Sequence, residues 1–299
     1  MNGYTFTKVF EIDHELVVAD SIEEAIGLYK KKLPYEGIRE VRQVGSTGVI
    51  TNYDALIAEP VTCSCNGWKL THITFTGVDG WTDIDRLVDI QERYPLTEFG
   101  VLLSRNWLKN GNRFPSPEMV EKLGGLGLHL SGHLCGSLAK NVLHMGGFAN
   151  VDVEFARMLD IFERVQLNVS CYEDATSFGI RRGPIEEVII QQGESKSLFE
   201  QCRLTNGKYI SLLLDKSGGM GINTPIEFPP YASRVHLGFA GGINPDNVID
   251  KLHQITSSPC IGDFWIDMES GVRTDDRFDL DKVENVCKKV YDTFLTTKS

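Results

Sequence analysis

From residue 70 onward, two rhythms alternate along the chain. Short apolar runs, many with every second position polar, read as strands. They are "LTHITFTG", "EFGVLLS", "LGLHLSGHLCG", "RVQLNVSC", "EEVIIQQG", "YISLLLD", "RVHLGFAGG" and "DFWIDMES". Between them lie stretches with apolar residues at helical spacing, such as "TDIDRLVDIQERY", "SPEMVEKL", "SLFEQC" and "NPDNVIDKLHQI". Repeated βα units favour a parallel sheet with covering helices. Eight of them in the 70–299 span predict an α/β fold closed into a (β/α)8 TIM barrel. The same units can also build an open doubly wound sheet, the structural alternative. "ATSFGIRRGPIE" and "NTPIEFPPYAS" carry no helical period and read as loops.

The first 62 residues read differently. "TKVFEIDHELVVAD" alternates like one or two short strands, and Ser21 with Glu24 forms a capping-box signal ahead of "IEEAIGLYKKKLP". Pro34 limits that helix, and "IREVRQVGSTGVIT" returns to strand character. Residues 1–62 are therefore expected to form a small α+β accessory module. "CSCNGWK", residues 63–69, reads as its linker to the barrel.

The two-residue period of a strand sorts its faces. In the third run Leu126, Leu128, Leu130 and Leu134 share one face, while His129, Ser131, His133 and Cys135 share the other. The same parity sets Gln166, Asn168 and Ser170 against Val165, Leu167 and Val169. It sets Trp265, Asp267 and Glu269 against Phe264, Ile266 and Met268, and places Asp215 on the face of Ser211 and Leu213. Strands of a parallel barrel are buried on both faces and usually apolar throughout. Here polar groups point at the lumen, where an unpaired one costs roughly 1–3 kcal/mol. They must satisfy one another or meet a ligand. Thr76, Cys135, Ser170, Asp215 and Glu269 fall nearest the C-terminal strand ends, where active sites of such barrels sit. His133, Asn168 and Asp267 fall one layer deeper.

Glycine loops follow the last three strands: "DKSGGMG" with Gly218 and Gly219, "AGGINPDN" with Gly241 and Gly242, and "ESGVR" with Ser270 and Gly271. Backbone N–H groups of such loops and a helix N-terminus suit a phosphate. Asn244 or Pro245 is expected to open the next helix, with Asn247 in its first turn. Neither a Walker loop nor a dinucleotide fingerprint is present.

Composition narrows the partners. A formal charge of −11 disfavours nucleic acid and anionic membranes, and no apolar run reaches the roughly 18 residues of a membrane span. The N-terminus lacks the pattern of a secretory signal, and seven scattered cysteines fit a reducing cytoplasm. Cys63 and Cys65 have no second pair at zinc-ribbon spacing.

In order, "ISLLLDKSGGMG", "LGFAGGINPDNV" and "DFWIDMESGV" resemble the last three strand motifs of phosphoribosylanthranilate isomerases. Upstream, "ITFTGVDGWTDIDRL" resembles that family's first strand, with Asp83 on its following aspartate. "NRFPSPEMVEKL" places Arg113 on a substrate-contacting arginine. The resemblance spans residues 70–297 and implies an Amadori-type rearrangement of a phosphoribosylated amine. A carboxylic acid protonates the ribose ring oxygen while a cysteine thiolate removes the neighbouring carbon-bound proton. Asp215 stands at the acid's position. Thr76 stands at the cysteine's, Thr74 at a lysine's, and Glu269 where the family has a serine near the phosphate. A threonine hydroxyl cannot act as the thiolate does. A glutamate there repels a dianion unless it is protonated or turned away. The chain is thus expected to be a divergent relative, similar to isomerase-like bacterial barrels that share "SGHLCG" and "FWIDMES".

Three readings stay open. The first is an enzyme acting on a phosphorylated sugar or ribose derivative by general acid/base chemistry. Asp215 is its acid and Glu269 or His133 its base, with Asp267 beside them. Thr76, Arg113, Cys135, Asn168 and the loop glycines bind substrate. It needs no cofactor, and a homodimer is allowed for. The second is a metal-dependent barrel. "HLCG" resembles the His-x-Cys strand end that holds zinc in some barrels, so His133 and Cys135 take a divalent ion with Asp267 or Glu269 as third ligand. The third is a barrel without catalysis that binds a ligand or a partner.

Overall fold

A computed structural model describes residues 68–105, 113–144, 153–168, 185–192, 210–215, 226, 236–258 and 262–296, together with strand backbone at 4–5, 8–12, 15–19, 41–46 and 49–50. The chain forms two compact units, Met1–Cys63 and Ser64–Ser299. In the first, β1 (Tyr4–Thr5) pairs with β5 (Val49–Ile50), both antiparallel. There β2 (Lys8–Ile12) lies between β3 (Glu15–Ala19) and β4 (Val41–Ser46) in an antiparallel sheet. The helix expected after Ser21 lies outside the described residues, as do Cys63 and Cys65.

The second unit is a closed parallel barrel. Its strands are β6 (Lys69–Thr76), β7 (Thr97–Leu103), β8 (Leu130–Cys135), β9 (Arg164–Asn168), β10 (Glu187–Gln192), β11 (Ile210–Leu214), β12 (Leu237–Phe239) and β13 (Asp263–Met268). Each pairs with the next in sequence, and β13 pairs back onto β6. That last pairing removes the free edges of an open sheet, so the doubly wound alternative does not apply. All eight expected strands are present.

The helices follow their sequence signals. In α1 (Ile84–Arg93), Asp83 caps the N-terminus by accepting from the backbone N–H groups of Asp85 and Arg86, and Leu87 and Ile90 face the core. Before α2 (Pro117–Gly124), the Ser116 hydroxyl accepts from the Met119 N–H, and Pro117 sits where its missing N–H costs nothing. Helices α3 (Ser137–His144) and α4 (Val153–Leu159) both lie between β8 and β9. After β12 comes α5 (Val248–Thr256), and α6 (Leu280–Lys289) closes the chain, its last turns widening into a π-helix over Val290–Leu295. No helix among the described residues is long and apolar enough to cross a membrane. The two segments read as loops, 175–186 and 223–233, lie largely outside the described residues.

Two boundaries differ from expectation. The third strand begins only at Leu130, so Leu126 and His129 belong to neither of its faces. Gly125 ends α2, Gly127 turns the chain at φ +70°, and Leu126 stays 37% exposed. Trp68 and Lys69, read as linker, belong to the barrel: Lys69 opens β6, and the Trp68 ring stacks on Phe294 at 4.9 Å.

The lumen is unusually polar. At its floor Arg164 pairs with Glu98 at 2.7 Å and also with Glu187, which His236 meets at 2.6 Å. Thr74 donates to Glu98 at 2.7 Å, and Ser211 donates to Glu187. Trp265 fills the centre against Ile189 and Leu213, with the Arg164 guanidinium 4.7 Å from its ring. Only glycine fits at 238, since a Cβ there would lie 2.2 Å from the indole.

Candidate active site

Above Trp265, the C-terminal strand ends gather most of the expected polar residues. β6 delivers Thr76, β8 His133 and Cys135, β9 Asn168, β10 Gln191 and β13 Asp267, while Asp215 and Glu269 lie just beyond β11 and β13. Strand parity holds for all of them: their neighbours Phe75, Leu134, Leu167, Ile190 and Ile266 belong to the main core, and Leu214 packs against it.

The centre of the cluster is Thr76, Asp267 and His133, all at most 5% exposed. The Thr76 hydroxyl donates to Asp267 Oδ1 at 2.7 Å and lies 3.4 Å from His133 Nε2. The same Nε2 is 3.1 Å from Ser131 Oγ, whereas Nδ1 is buried without a hydrogen-bond partner among the described residues. Gly100 on β7 makes this convergence possible. A Cβ there would stand 2.5 Å from Thr76 Oγ1 and 2.9 Å from His133 Nε2.

Burial sets the protonation chemistry. It pushes the Asp267 carboxyl up to about 7, helped by the charges of Glu269, Glu98 and Asp215 and opposed by the Thr76 hydrogen bond. Burial also pulls His133 down to about 4, so the imidazole is neutral. Cys135 is pushed up to about 11 by burial, against a bond from Asn168 Nδ2 at 3.5 Å, and is therefore a thiol at neutral pH. Gln166 donates in turn to Asn168 Oδ1 at 2.7 Å. Asp215, 4% exposed, accepts from Gln191 Nε2 at 2.9 Å.

Glu269 is turned toward Arg113, 2.7 Å away. Burial raises its carboxyl, with Arg113 and Arg273 opposing, but 31% of its side chain remains exposed and water moderates the shift. Beneath it Arg273 donates to the Gly77 carbonyl at 2.8 Å and to Asp79 Oδ2 at 3.0 Å. Gly77 lies at φ +102°, and a Cβ there would collide with the guanidinium at 2.8 Å.

The glycine loops after β12 and β13 touch. A Cβ on Gly271 would lie 2.0 Å from the Ile243 carbonyl oxygen, so the contact requires glycine. Gly241 and Gly242 both take positive φ, +99° and +67°. Helix α5 starts later than expected, at Val248. Asn247 is its cap residue but spends its side chain on the loop, donating to the Gly242 carbonyl and accepting from the Asn244 N–H, both at 2.9 Å. Ser270 opens a single 3-10 turn through Val272. Gly218 and Gly219 of the third loop, and Ser170, lie outside the described residues. Beside the mouth, at the end of β7, a cavity of about 110 Å³ is lined by Leu102, Ser104, Arg105, Pro115, Phe155 and Met158.

His133 and Cys135 share a strand face but point their polar atoms at different partners. Among the described residues no three His, Cys, Asp or Glu side chains are grouped to hold an ion. Asp83, which the resemblance sets on the aspartate after the first strand, is spent on the α1 cap. Sequence reasoning missed Gln191, Arg273 with Asp79, and the floor ring. Glu98, Arg164, Glu187 and His236 each sat on a lumen-facing position, and that parity was the available signal.

Among solved structures the chain is similar to TrpF from Jonesia denitrificans, with TM-score 0.45 and 16% identity over 74% of this chain and 97% of that one. It is similar also to N-(5'-phosphoribosyl)anthranilate isomerase from Pyrococcus furiosus, with TM-score 0.41 and 15% identity over 75% and 100%. No family model and no curated protein matches the sequence.

Proposed function

We propose that the barrel mouth is an isomerase-type active site for general acid/base chemistry on a phosphorylated sugar or ribose derivative. The observation that carries this reading is Asp267, a buried carboxyl raised to about 7 and hydrogen-bonded to Thr76 beneath the mouth. A group that transfers protons works best with a pKa near the operating pH. Neither alternative base competes: Cys135 is a thiol, and a threonine hydroxyl does not ionise near neutrality. Asp215, fixed by Gln191, supplies the second carboxyl, so that one group removes a carbon-bound proton while the other protonates a leaving oxygen.

The phosphate reading is supported by the touching loops of Gly242 and Gly271 ahead of helix α5, and by Arg113 at the rim. A phosphate reaching Arg113 must displace or share it with Glu269.

The test is isotope exchange. Protein is incubated in D2O with phosphorylated pentoses and pentosylamines, and proton NMR follows loss of the C2–H signal. Wild type is expected to catalyse exchange on at least one such compound. Asp267→Asn and Asp215→Asn are each expected to slow it by about 10²-fold or more. Absence of both binding and exchange across the set overturns the proposal, as does full activity in Asp267→Asn.

A further inference from the structure

We infer that Thr76, His133 and Asp267 form one proton relay, with the Thr76 hydroxyl as its bridge and Nδ1 of His133 as the end that meets substrate. The relay rests on the acid/base reading of the mouth and answers what replaces a thiolate at the position of Thr76.

The geometry is a chain of three groups. Thr76 Oγ1 lies 2.7 Å from Asp267 Oδ1 and 3.4 Å from His133 Nε2. The second separation is long for a hydrogen bond, and contacts of this kind tighten when a ligand seats. Gly100 leaves the space in which the two side chains meet. Nδ1 is the chain's open end, buried and without a partner among the described residues.

A hydroxyl has one hydrogen, and that fixes the alternatives. With Asp267 ionised, Thr76 gives its hydrogen to the carboxylate. Its lone pair then faces His133, so Nε2 carries the imidazole proton and Nδ1 is a bare base. With Asp267 protonated, its O–H is given to Thr76 Oγ1, and the Thr76 hydrogen turns to Nε2. Nδ1 then carries the proton and is an acid. Ser131 Oγ, 3.1 Å from Nε2, can donate or accept and so is compatible with both states. The protonation of Asp267 and the tautomer of His133 are thereby locked together.

Capture of a substrate proton balances along the chain. The substrate C–H breaks as Nδ1–H forms, and the electron pair stays on the substrate. Nε2–H breaks as a new Thr76 O–H forms. The old Thr76 O–H breaks as Asp267 O–H forms, and the carboxylate charge is neutralised. Running the sequence backward returns a proton to a neighbouring substrate atom, which is an isomerisation.

The surrounding charges suit storage on Asp267. Burial, with Glu269, Glu98 and Asp215 nearby, favours its protonated form, whereas burial, with Arg164 adding and Glu98 opposing, keeps His133 from becoming a cation. Cys135, two residues on from His133, is a neutral thiol.

The test uses the full chain labelled with ¹⁵N-histidine and ¹³C-aspartate, titrated by NMR without substrate. In wild type the His133 nitrogen shifts are expected to exchange tautomer in step with the Asp267 carboxyl signal. Thr76→Val is expected to uncouple them, leaving one His133 tautomer throughout, and Thr76→Ser to restore the coupling. In the exchange assay Thr76→Val is expected to lose about 10-fold or more, with partial rescue by serine. The relay is overturned if the wild-type tautomer stays fixed while Asp267 titrates, a result that needs no variant to fold. C2–H exchange persisting alongside a fixed tautomer would remove the relay and leave the active-site reading standing. Coupled titration without any exchange would do the reverse.

Discussion

Arg113 and Glu269 meet 2.7 Å apart with side chains 38% and 31% exposed. An ion pair so exposed is worth about 1 kcal/mol or less, so an anion with more charge can take Arg113 from it. Glu269 then acts as a placeholder that also repels the arriving phosphate. Replacing it by glutamine leaves shape nearly unchanged while freeing the guanidinium. Glu269→Gln is expected to tighten binding of inorganic phosphate by about 5-fold, the equivalent of ~1 kcal/mol. Isothermal titration calorimetry at fixed ionic strength checks this, and unchanged or weaker affinity would count against a phosphate site at Arg113.

At the scale of elements, one buried arginine holds the seam where the barrel closes. After β13 the chain forms a two-strand hairpin, β14 (Arg273–Thr274) with β15 (Arg277–Phe278), turned by Asp275 and Asp276 at positive φ. Arg273 reaches from it to Asp79 and the Gly77 carbonyl in the loop after β6, and Asp79 also accepts from the Phe278 N–H at 2.8 Å. Breaking one side of a buried pair costs about 3–5 kcal/mol, because the other charge is left without compensation. Arg273→Met is therefore expected to lower the urea midpoint by the equivalent of about 3 kcal/mol, and a loss under about 1 kcal/mol would mean that water replaces the guanidinium. The chain announces its strands, since alternation and βα spacing survive in any context. It does not announce this staple, whose partners lie 194 residues apart. The same distinction runs through the site. Parity put Thr76, His133 and Asp267 on the lumen face, yet only the closure of β13 on β6 makes a 2.7 Å bond between residues 191 apart. Gln191 shares the lumen parity of Glu187 and Ile189, but a search for ionisable groups passes over it. The start of β8 is not legible in the sequence, because Leu126 and Leu128 continue the apolar rhythm while Gly125 ends α2 and Gly127 turns the chain.

At the scale of the whole molecule, the buried titrating groups among the described residues shift in opposite senses, and each contributes to stability against pH with its own sign. Burial pulls His72 and His133 down to about 4, from an unfolded value near 6.5. Between those limits the unfolded chain binds protons that the folded chain refuses, so these two groups make stability fall as pH falls. Asp267 runs the other way. Its folded carboxyl titrates at about 7 against roughly 3.9 unfolded, so it holds a proton that the unfolded chain has lost, and its contribution falls as pH rises through that window. Glu98 and Glu187 are held below the usual carboxylate range despite their burial, Glu98 chiefly by Arg164 and Glu187 chiefly by its bond to His236 and by Arg164. Their contribution is lost only at more acid pH. From about pH 6.5 to 4 two imidazoles therefore stand against two raised carboxyls, Asp267 and the more exposed Glu269. Asp267→Asn removes the more buried of the two opposing carboxyls, so the variant is expected to lose stability more steeply than wild type on acidification. Its stability relative to wild type should rise with pH by an amount on the order of a few kcal/mol, levelling off above about pH 7. Urea unfolding of both proteins at half-unit steps from pH 4.5 to 8 gives that difference directly, with groups common to both cancelling. Parallel profiles would show that Asp267 is ionised in the folded protein at neutral pH, and would withdraw the group on which the acid/base reading of the mouth depends.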